Sequence, residues 1–533
     1  MKRTLIFTFI ISILICNFTN GQSQEERNNM SKLGMAYTAI TKLYVDEAND
    51  QKIVEDAIKG MLEKLDPHSS YTNAEETRKM NEPLEANFDG IGIQFNMLND
   101  TLYIVQVISG GPSEKVGIIA GDRIVMVDNT TIAGVNMQNS DIIKLIRGKK
   151  GTEVNIKVKR GFNPNLLEFT VIRDIIPVYS IDATYMADSK TGYIRLSRFA
   201  ASSMKEFEKS IFTLKKQGMK NLILDLQGNG GGYLHIAYEL ADQFLEKGKL
   251  VVYTQGNKTK RSDAISTDKG LFKEGKIVII VDESSASASE IVSGAIQDWD
   301  RGVIVGRRTF GKGLVQRPIE LPDSSMIRLT VARYYTPSGR NIQKPYEAGN
   351  VAAYNHDLID RYNKGELMSA DSIHFPDSLK YSTLVSKRTV YGGGGIMPDV
   401  FIPIDSTRNS EYHYKLVGLR IMNKMAMSYI DKNRKEITKN YSNIKQFKDK
   451  FVVTENMLKE LIEMAEENKI EFNEEQFNKS KNNIALQLKA YIAQNIFDIS
   501  EYFQIINDIS ENYMKALQII NNEEEYYRII NGG

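Results

Sequence analysis

Hydrophobic positions change their period several times along the chain, and each change marks a different kind of element. From Glu25 to about Lys79, apolar residues recur at three and four (Met35, Ile40, Leu43, Tyr44; then Ile53, Ala57, Ile58, Met61, Leu62), which predicts helices. Asp66-Pro67-His68-Ser69-Ser70-Tyr71 stops the second, because proline removes a donor and excludes helix at the residue before it. From Phe88 to about Asp174 the runs become short and β-rich. Strands Thr101 to Val107 and Arg123 to Val127 flank the turn Gly121-Asp122, a helix spans Ser140 to Arg147, and a strand pair, Glu153 to Arg160 and Leu167 to Arg173, closes the unit. From about Pro177 to Asp405, strands (Thr191 to Leu196, Asn221 to Leu226, Leu250 to Thr254, Lys276 to Val281) alternate with helices (Ser202 to Gln217, Tyr233 to Glu246), the order that yields a parallel sheet covered by helices. Tyr346 to Val390 is polar with weak periodicity and reads as an insertion. Beyond Asp405 helical spacing returns, as in Leu416, Leu419, Ile421 and Met422. The expected plan is a multidomain α/β chain: a signal peptide at 1–21, a helical region at 22–85, a small β-rich domain at 86–175, an α/β core at 176–405 with 346–390 inserted, and a helical region at 406–533.

The amino terminus changes the picture of where the protein works. Lys2 and Arg3 precede an apolar run, Leu5 to Cys16, and then polar Asn17 to Asn20 and small Gly21. That is the build of a secretory signal peptide, since about 12 apolar residues fall short of the roughly 20 that span a bilayer. Export to a periplasm or cell envelope is expected. Cys16 is the chain's only cysteine, so a mature form would hold no disulfide and would depend on its cores. A net charge of +1, from 68 basic and 67 acidic residues, supplies no global field for nucleic acid or anionic lipid. Protein or peptide partners are expected instead.

Candidate chemistry concentrates between Lys276 and Gln316. A buried strand turns at Ser284 to Ser289 into a helix, presenting Ser287 at a helix N-terminus, and Lys312 follows between Gly311 and Gly313. Serine needs a base to take its proton, and lysine can serve only when neutral, its pKa lowered by desolvation. Ser287 and Lys312 read as nucleophile and base. Gln316, four residues on, would share a helical face with Lys312 and orient its amine. The Ala288 N–H, aided by the helix dipole, points where an oxyanion would form. A second donor is expected from the loop Asp225-Leu226-Gln227-Gly228-Asn229-Gly230-Gly231-Gly232, which follows a strand and precedes a helix. Glu290, in the first helical turn, is accounted for by the dipole. Gly306 to Gly313 is one residue short of a P-loop and has Gly313 where a magnesium-binding hydroxyl would stand, so no nucleotide is expected. His68 has no second ligand at metal spacing and reads as loop packing, and neither metal nor cofactor is expected; His235 is the best placed for a rival Ser-His-Asp arrangement.

Two resemblances rest on these residues. The unit from Phe88 to Asp174, with Gly90-Ile91-Gly92-Ile93, resembles a PDZ domain, in which such a loop offers N–H groups to a peptide's terminal carboxylate while the peptide adds a strand. Asp66 to Tyr71, Asp225 to Gly232, Ser285 to Glu290, Thr309 to Gln316 and Tyr335 to Gln343 resemble, in order, the carboxyl-terminal processing peptidases, or tail-specific proteases. That resemblance implies a Ser-Lys endopeptidase with a ClpP/crotonase-like core and an inserted PDZ domain that senses the substrate's tail. It places the nucleophile on Ser287, the base on Lys312 and a supporting glutamine on Gln316. The oxyanion donors fall on Ala288 and on Gly231 or Gly232, with Gln227 and Gly230 standing where members commonly carry arginine and proline. Arg147 matches a position near the domain junction that would couple tail binding to activation. The partners implied are proteins with accessible C-terminal tails, an adaptor protein, and a second copy of the chain through the helical terminal regions. The rival reading is a PDZ-bearing scaffold with a catalytically silent core.

Overall fold

The computed structural model describes residues 23–533 other than 99, 109, 162 and 406; the expected signal peptide, 1–21, lies outside the described residues. Contacts divide the chain into two units, one of Met1–Ala74, Gln316–Thr330 and Tyr346–Tyr354, the other of Glu75–Val315, Val331–Pro345 and Asn355–Gly533. In the first, helix Gln24–Leu43 starts at a Ser23/Glu26 capping box and buries none of its residues. Helix Asp50–Glu63 follows, and Ser70–Thr72 pairs antiparallel with Met326 to Arg328. The Asp66 carboxylate sets the intervening turn, accepting from the N–H groups of His68 and Ser69 and from the hydroxyls of Ser69 and Thr330. His68 packs in this turn, its Nε2 2.8 Å from the Tyr354 hydroxyl.

The second unit begins with helix Ala74–Glu85. Strand Asn87–Gly90 then pairs with Asp174–Pro177, so the chain enters and leaves the small β domain side by side, as an inserted domain must. Within it Ile93–Leu98, Thr101–Val107, Arg123–Val127, Glu153–Lys159 and Leu167–Ile172 are neighbours in that order, with Ile93–Leu98 at the open edge. Alternate residues such as Leu102, Ile104, Val154, Ile156 and Val158 form its core.

The central sheet holds six strands in chain order: β1 (Ile181–Met186), β2 (Thr191–Leu196), β3 (Asn221–Asp225), β4 (Ile277–Val281), β5 (Val303–Gly306) and β6 (Val400–Phe401). All neighbours after the antiparallel β1–β2 pair run parallel. Helix α1 (Ser203–Lys216) connects β2 to β3, α2 (Leu234–Asp242) lies between β3 and β4, and α3 (Ala288–Asp298) connects β4 to β5. With strands in sequential order, right-handed crossovers put these helices on one face. Phe207, Ile211, Ile236, Leu240, Ile291 and Val292 accordingly share a core with Leu222, Leu224, Ile277 and Ile279. The alternate residues Ile223, Val278, Ile280, Val303 and Val305 face the other way, and a parallel sheet needs that face covered too.

The cover comes from the far end of the chain. A helical module, from Glu411–Gly418 to Glu474–Ile496, has its own core around Leu416, Met425, Leu461 and Leu488. It touches the small β domain through an Arg123–Asp431 ion pair, and just beyond it Asp498 accepts a hydrogen bond of 2.6 Å from Gln106. Helices α4 (Ile499–Ile506), α5 (Glu511–Asn521) and α6 (Glu523–Ile530) follow, and Tyr513, Ala516, Ile519, Ile520, Tyr526 and Ile530 close the second face of the sheet. The 346–390 stretch is more regular than its weak periodicity suggests, with helix Val351–Asn363 and the strand pair Lys380–Ser382 and Thr389–Tyr391.

Candidate active site

Ser287 sits between the buried strand β4 and helix α3, with φ 55° and ψ −109°. An L-residue is held in that sparsely populated region only when its surroundings over-determine it. The neighbours do so. Ser285 is fully buried, its hydroxyl donating to the Leu226 carbonyl at 2.8 Å, and Ser289 donates to the Asn229 carbonyl at 2.8 Å. The Ala286 N–H donates to the same Asn229 carbonyl at 3.0 Å. The serines on either side of Ser287 therefore tie its turn to the glycine-rich loop.

Lys312, half-buried, lies on the loop between β5 and strand Leu314–Glu320, in the same unit as Ser287. Gly311 has φ +90°, and a Cβ there would lie 3.1 Å from the Gly395 nitrogen, so the close approach requires glycine. The Phe310 N–H donates to the Ser285 carbonyl at 3.0 Å, which brings this loop onto the serine turn.

Two buried side chains then hold the serine and the lysine together. Glu290 Oε2 accepts from the Ser287 N–H at 2.7 Å and from the Lys312 N–H at 2.9 Å. Its Oε1 accepts from the Thr309 hydroxyl at 2.6 Å and the Gly311 N–H at 2.7 Å. The Tyr334 hydroxyl, on a ring only 1% exposed, reaches the Ser287 carbonyl at 3.2 Å and the Lys312 carbonyl as well. One carboxylate binds both amides and one phenol both carbonyls. Burial pushes the Glu290 carboxyl up to about 7, against the pull of its four donors. The dipole reading of Glu290 missed most of this. The Ser287-x-x-Glu290 spacing of a capping box was the signal for the first bond; the rest are non-local. Tyr334 left no signal in the sequence.

The glycine loop lies against the serine. A Cβ on Gly231 would come within 2.9 Å of Ser287 Cβ and 3.1 Å of the Ala288 nitrogen. The Gly231 N–H donates to Asn229 Oδ1 at 2.9 Å, whereas those of Gly232 and Ala288 have no hydrogen-bond partner among the described residues. Gln316 does not continue a helix from Lys312. It lies in strand Leu314–Glu320, and its Nε2 donates to the His68 carbonyl. The helical spacing that would have placed its amide over the lysine is absent. His235 lies beside Tyr233, their rings tilted by 32° with centroids 5.3 Å apart.

In the β domain, the Ile91 carbonyl accepts from Ser113 N–H at 3.0 Å and that of Gly92 from Ile108 N–H at 2.9 Å, while the N–H groups of Ile91 and Gly92 have no partner among the described residues. Gly92 has φ +78°. Arg147 lies beside Gly90, ion-paired to Glu82 at 2.5 Å and with its guanidinium 4.4 Å from the Phe88 ring centroid.

Comparison with known proteins converges on these segments. Residues 190–349 match peptidase family S41, residues 90–172 the PDZ domain, and residues 15–77 the N-terminal domain of the activating protease CtpB. The carboxy-terminal-processing protease of Bartonella bacilliformis is 36% identical over 357 residues, covering 64% of this chain and 81% of that protein. The chain belongs to the carboxy-terminal processing proteases of peptidase family S41. The carboxy-terminal processing protease CtpA of Bacillus subtilis is 35% identical over 362 residues (64% of this chain, 76% of that one). A probable CtpA-like serine protease of Staphylococcus epidermidis is 34% identical over 343 residues (64% and 68%). This carboxy-terminal processing protease is thus a serine peptidase with a PDZ domain, mixed α/β with many helices, and its substrates are proteins. Residues 412–498, the helical module, match a family of unknown function.

Proposed function

We propose that Ser287 is the nucleophile and Lys312 the general base of an exported endopeptidase that cuts proteins near their C-termini. The observation that carries this is the shared anchoring of the two residues, whose amides bind one Glu290 oxygen and whose carbonyls meet one Tyr334 hydroxyl. Neutral Lys312 takes the Ser287 proton as the hydroxyl attacks the scissile carbonyl, then returns it to the departing amine; water hydrolyses the acyl-enzyme by the same route. The unpartnered N–H groups of Ala288 and Gly232 receive the oxyanion, which makes Gly232 rather than Gly231 the second donor. Gln316 is the supporting glutamine that the family resemblance implies. The tail binds at Gly90, Ile91, Gly92 and Ile93, adding a strand beside Ile93–Leu98, and Arg147 couples that event to the core through Glu82. The core is of the ClpP/crotonase type, within the domain limits read from the sequence. Export to the periplasm or envelope rests on the signal-like first 21 residues. Self-association is supported by the exposed Met30, Leu33, Met35 and Leu43 of helix Gln24–Leu43, and an adaptor would engage the helical regions.

A fluorophosphonate probe should label wild-type Ser287 alone, and Ser287→Ala and Lys312→Ala should lose peptidase activity by at least about a thousandfold with unchanged circular dichroism. Wild-type turnover by folded Lys312→Ala would exclude the mechanism. Labelling of a different serine would exclude the nucleophile.

A further inference from the structure

We propose that Arg195 and Phe503 are positioning residues for the oxyanion loop, so that helix α4, outside the peptidase core, sets the rate of the chemical step. The inference rests on the assignment of Ser287 as nucleophile and of the glycine loop as a donor to its oxyanion.

The loop leaves β3 at Asp225, whose side chain is 3% exposed. One oxygen of this carboxylate accepts from the Tyr193 hydroxyl and from Arg195 Nη1, both at 2.6 Å; the other accepts from the Gln227 N–H at 2.8 Å. Arg195 Nη2 reaches past it to the Gln227 carbonyl at 2.9 Å. A single guanidinium thus fixes the carboxylate that turns the loop and the peptide it turns. Beyond Gln227 the path to the serine has little freedom. Gly228 N–H donates to the Asp282 carboxylate, Asn229 binds both its own loop and the serine turn, and Gly231 lies against Ser287. A shift at Gln227 is therefore passed to Gly232.

The outer face of Arg195 is closed by Phe503 of α4, whose ring centroid is 4.6 Å from the guanidinium carbon. Tyr193, the other group on Asp225, is backed by Tyr513 of α5, ring centroids 5.3 Å apart and edge to face. With the ring in place 18% of the Arg195 side chain is still exposed; without it more of the guanidinium would meet water, which competes for both of its hydrogen bonds. Both aromatic backings come from helices beyond the segment that matches the peptidase family. A loop held at its root but loosened by fractions of an ångström keeps its fold and loses transition-state stabilisation, which lowers kcat and leaves KM unchanged.

The test uses the full chain, a fluorogenic peptide with an apolar C-terminal residue, and a fluorophosphonate run to completion to count active sites. Phe503→Ala should lower kcat per labelled site about tenfold at constant KM, and Phe503→Tyr should restore it. Arg195→Met should lower it further, toward the roughly 100- to 1,000-fold that follows loss of an oxyanion donor. Unchanged kcat per labelled site in Phe503→Ala, whatever its stability, overturns the inference; where Arg195→Met fails to fold, the Phe503 pair decides alone. If wild type is labelled at Ser287 and Ser287→Ala is inert, a normal Phe503→Ala removes only the positioning role. Labelling elsewhere in the wild type removes both readings.

Discussion

Glu290 shows how much one buried side chain can be asked to do. Its carboxylate is fully buried and accepts four hydrogen bonds, from Ser287, Thr309, Gly311 and Lys312. Burial raises its pKa from the usual 4.5 to about 7. As pH rises, the unfolded chain gives up this proton first, so ionising Glu290 costs the fold stability progressively from about pH 4.5 to about 7 and no further above that. Measured by denaturant unfolding, the stability of wild type relative to Glu290→Gln should fall on the order of 3 kcal/mol across this window. A difference independent of pH would show that Glu290 does not titrate there. Activity should run the other way, because only the ionised carboxylate accepts all four bonds while a protonated one must give one up. The pH profile of kcat should therefore carry an acid limb near 7. Ser287 and Lys312 were legible because their types and glycine neighbours are local. The second role of Glu290 was not, since its partners lie about twenty residues away across a strand and a loop.

At the scale of elements, the glycine loop separates residues that need to be glycine from those that happen to be. Gly232 has φ +148° and a Cβ there would sit 2.1 Å from the Phe199 carbonyl oxygen, whereas a Cβ on Gly230 would meet nothing within 4 Å. Gly232→Ala should abolish activity and lower the yield of folded protein, while Gly230→Ala should keep activity within about twofold, since a surface change in open space is close to neutral. Equal turnover by the two variants, measured with the same peptide, would contradict the geometry. Strand identity was largely readable here: Ile277–Val281 is wholly buried, and its unbroken β-branched run said so. The helical face shared by Lys312 and Gln316 was misread because a spacing of four suggests a helix, whereas the chain extends there as strand Leu314–Glu320.

At the scale of the molecule, the helical module and the start of α4 hold the PDZ domain through Arg123–Asp431 and Gln106–Asp498. The Asp431 side chain is 9% exposed and that of Arg123 21%, so removing the carboxylate leaves a largely covered guanidinium without its ion-pair partner. Asp431→Ala should speed hydrogen exchange in Thr101–Val107 and Arg123–Val127 while leaving Ile277–Val281 protected; exchange unchanged in all three strands would show that the module does not brace the domain. Helical spacing announced that residues beyond Asp405 form helices with an apolar face. It could not say that Ile519, Ile520 and Tyr526 cover Val278 and Ile280, because amphipathic periodicity identifies a face and not its partner. That pairing has a consequence in time. The Tyr526 hydroxyl hydrogen-bonds Ile277, 249 residues earlier. At ribosomal speeds of about 5 to 20 residues per second, β4 waits roughly 10 to 50 s for its cover. Throughout that interval the nascent chain shows the apolar second face of β4 to any chaperone.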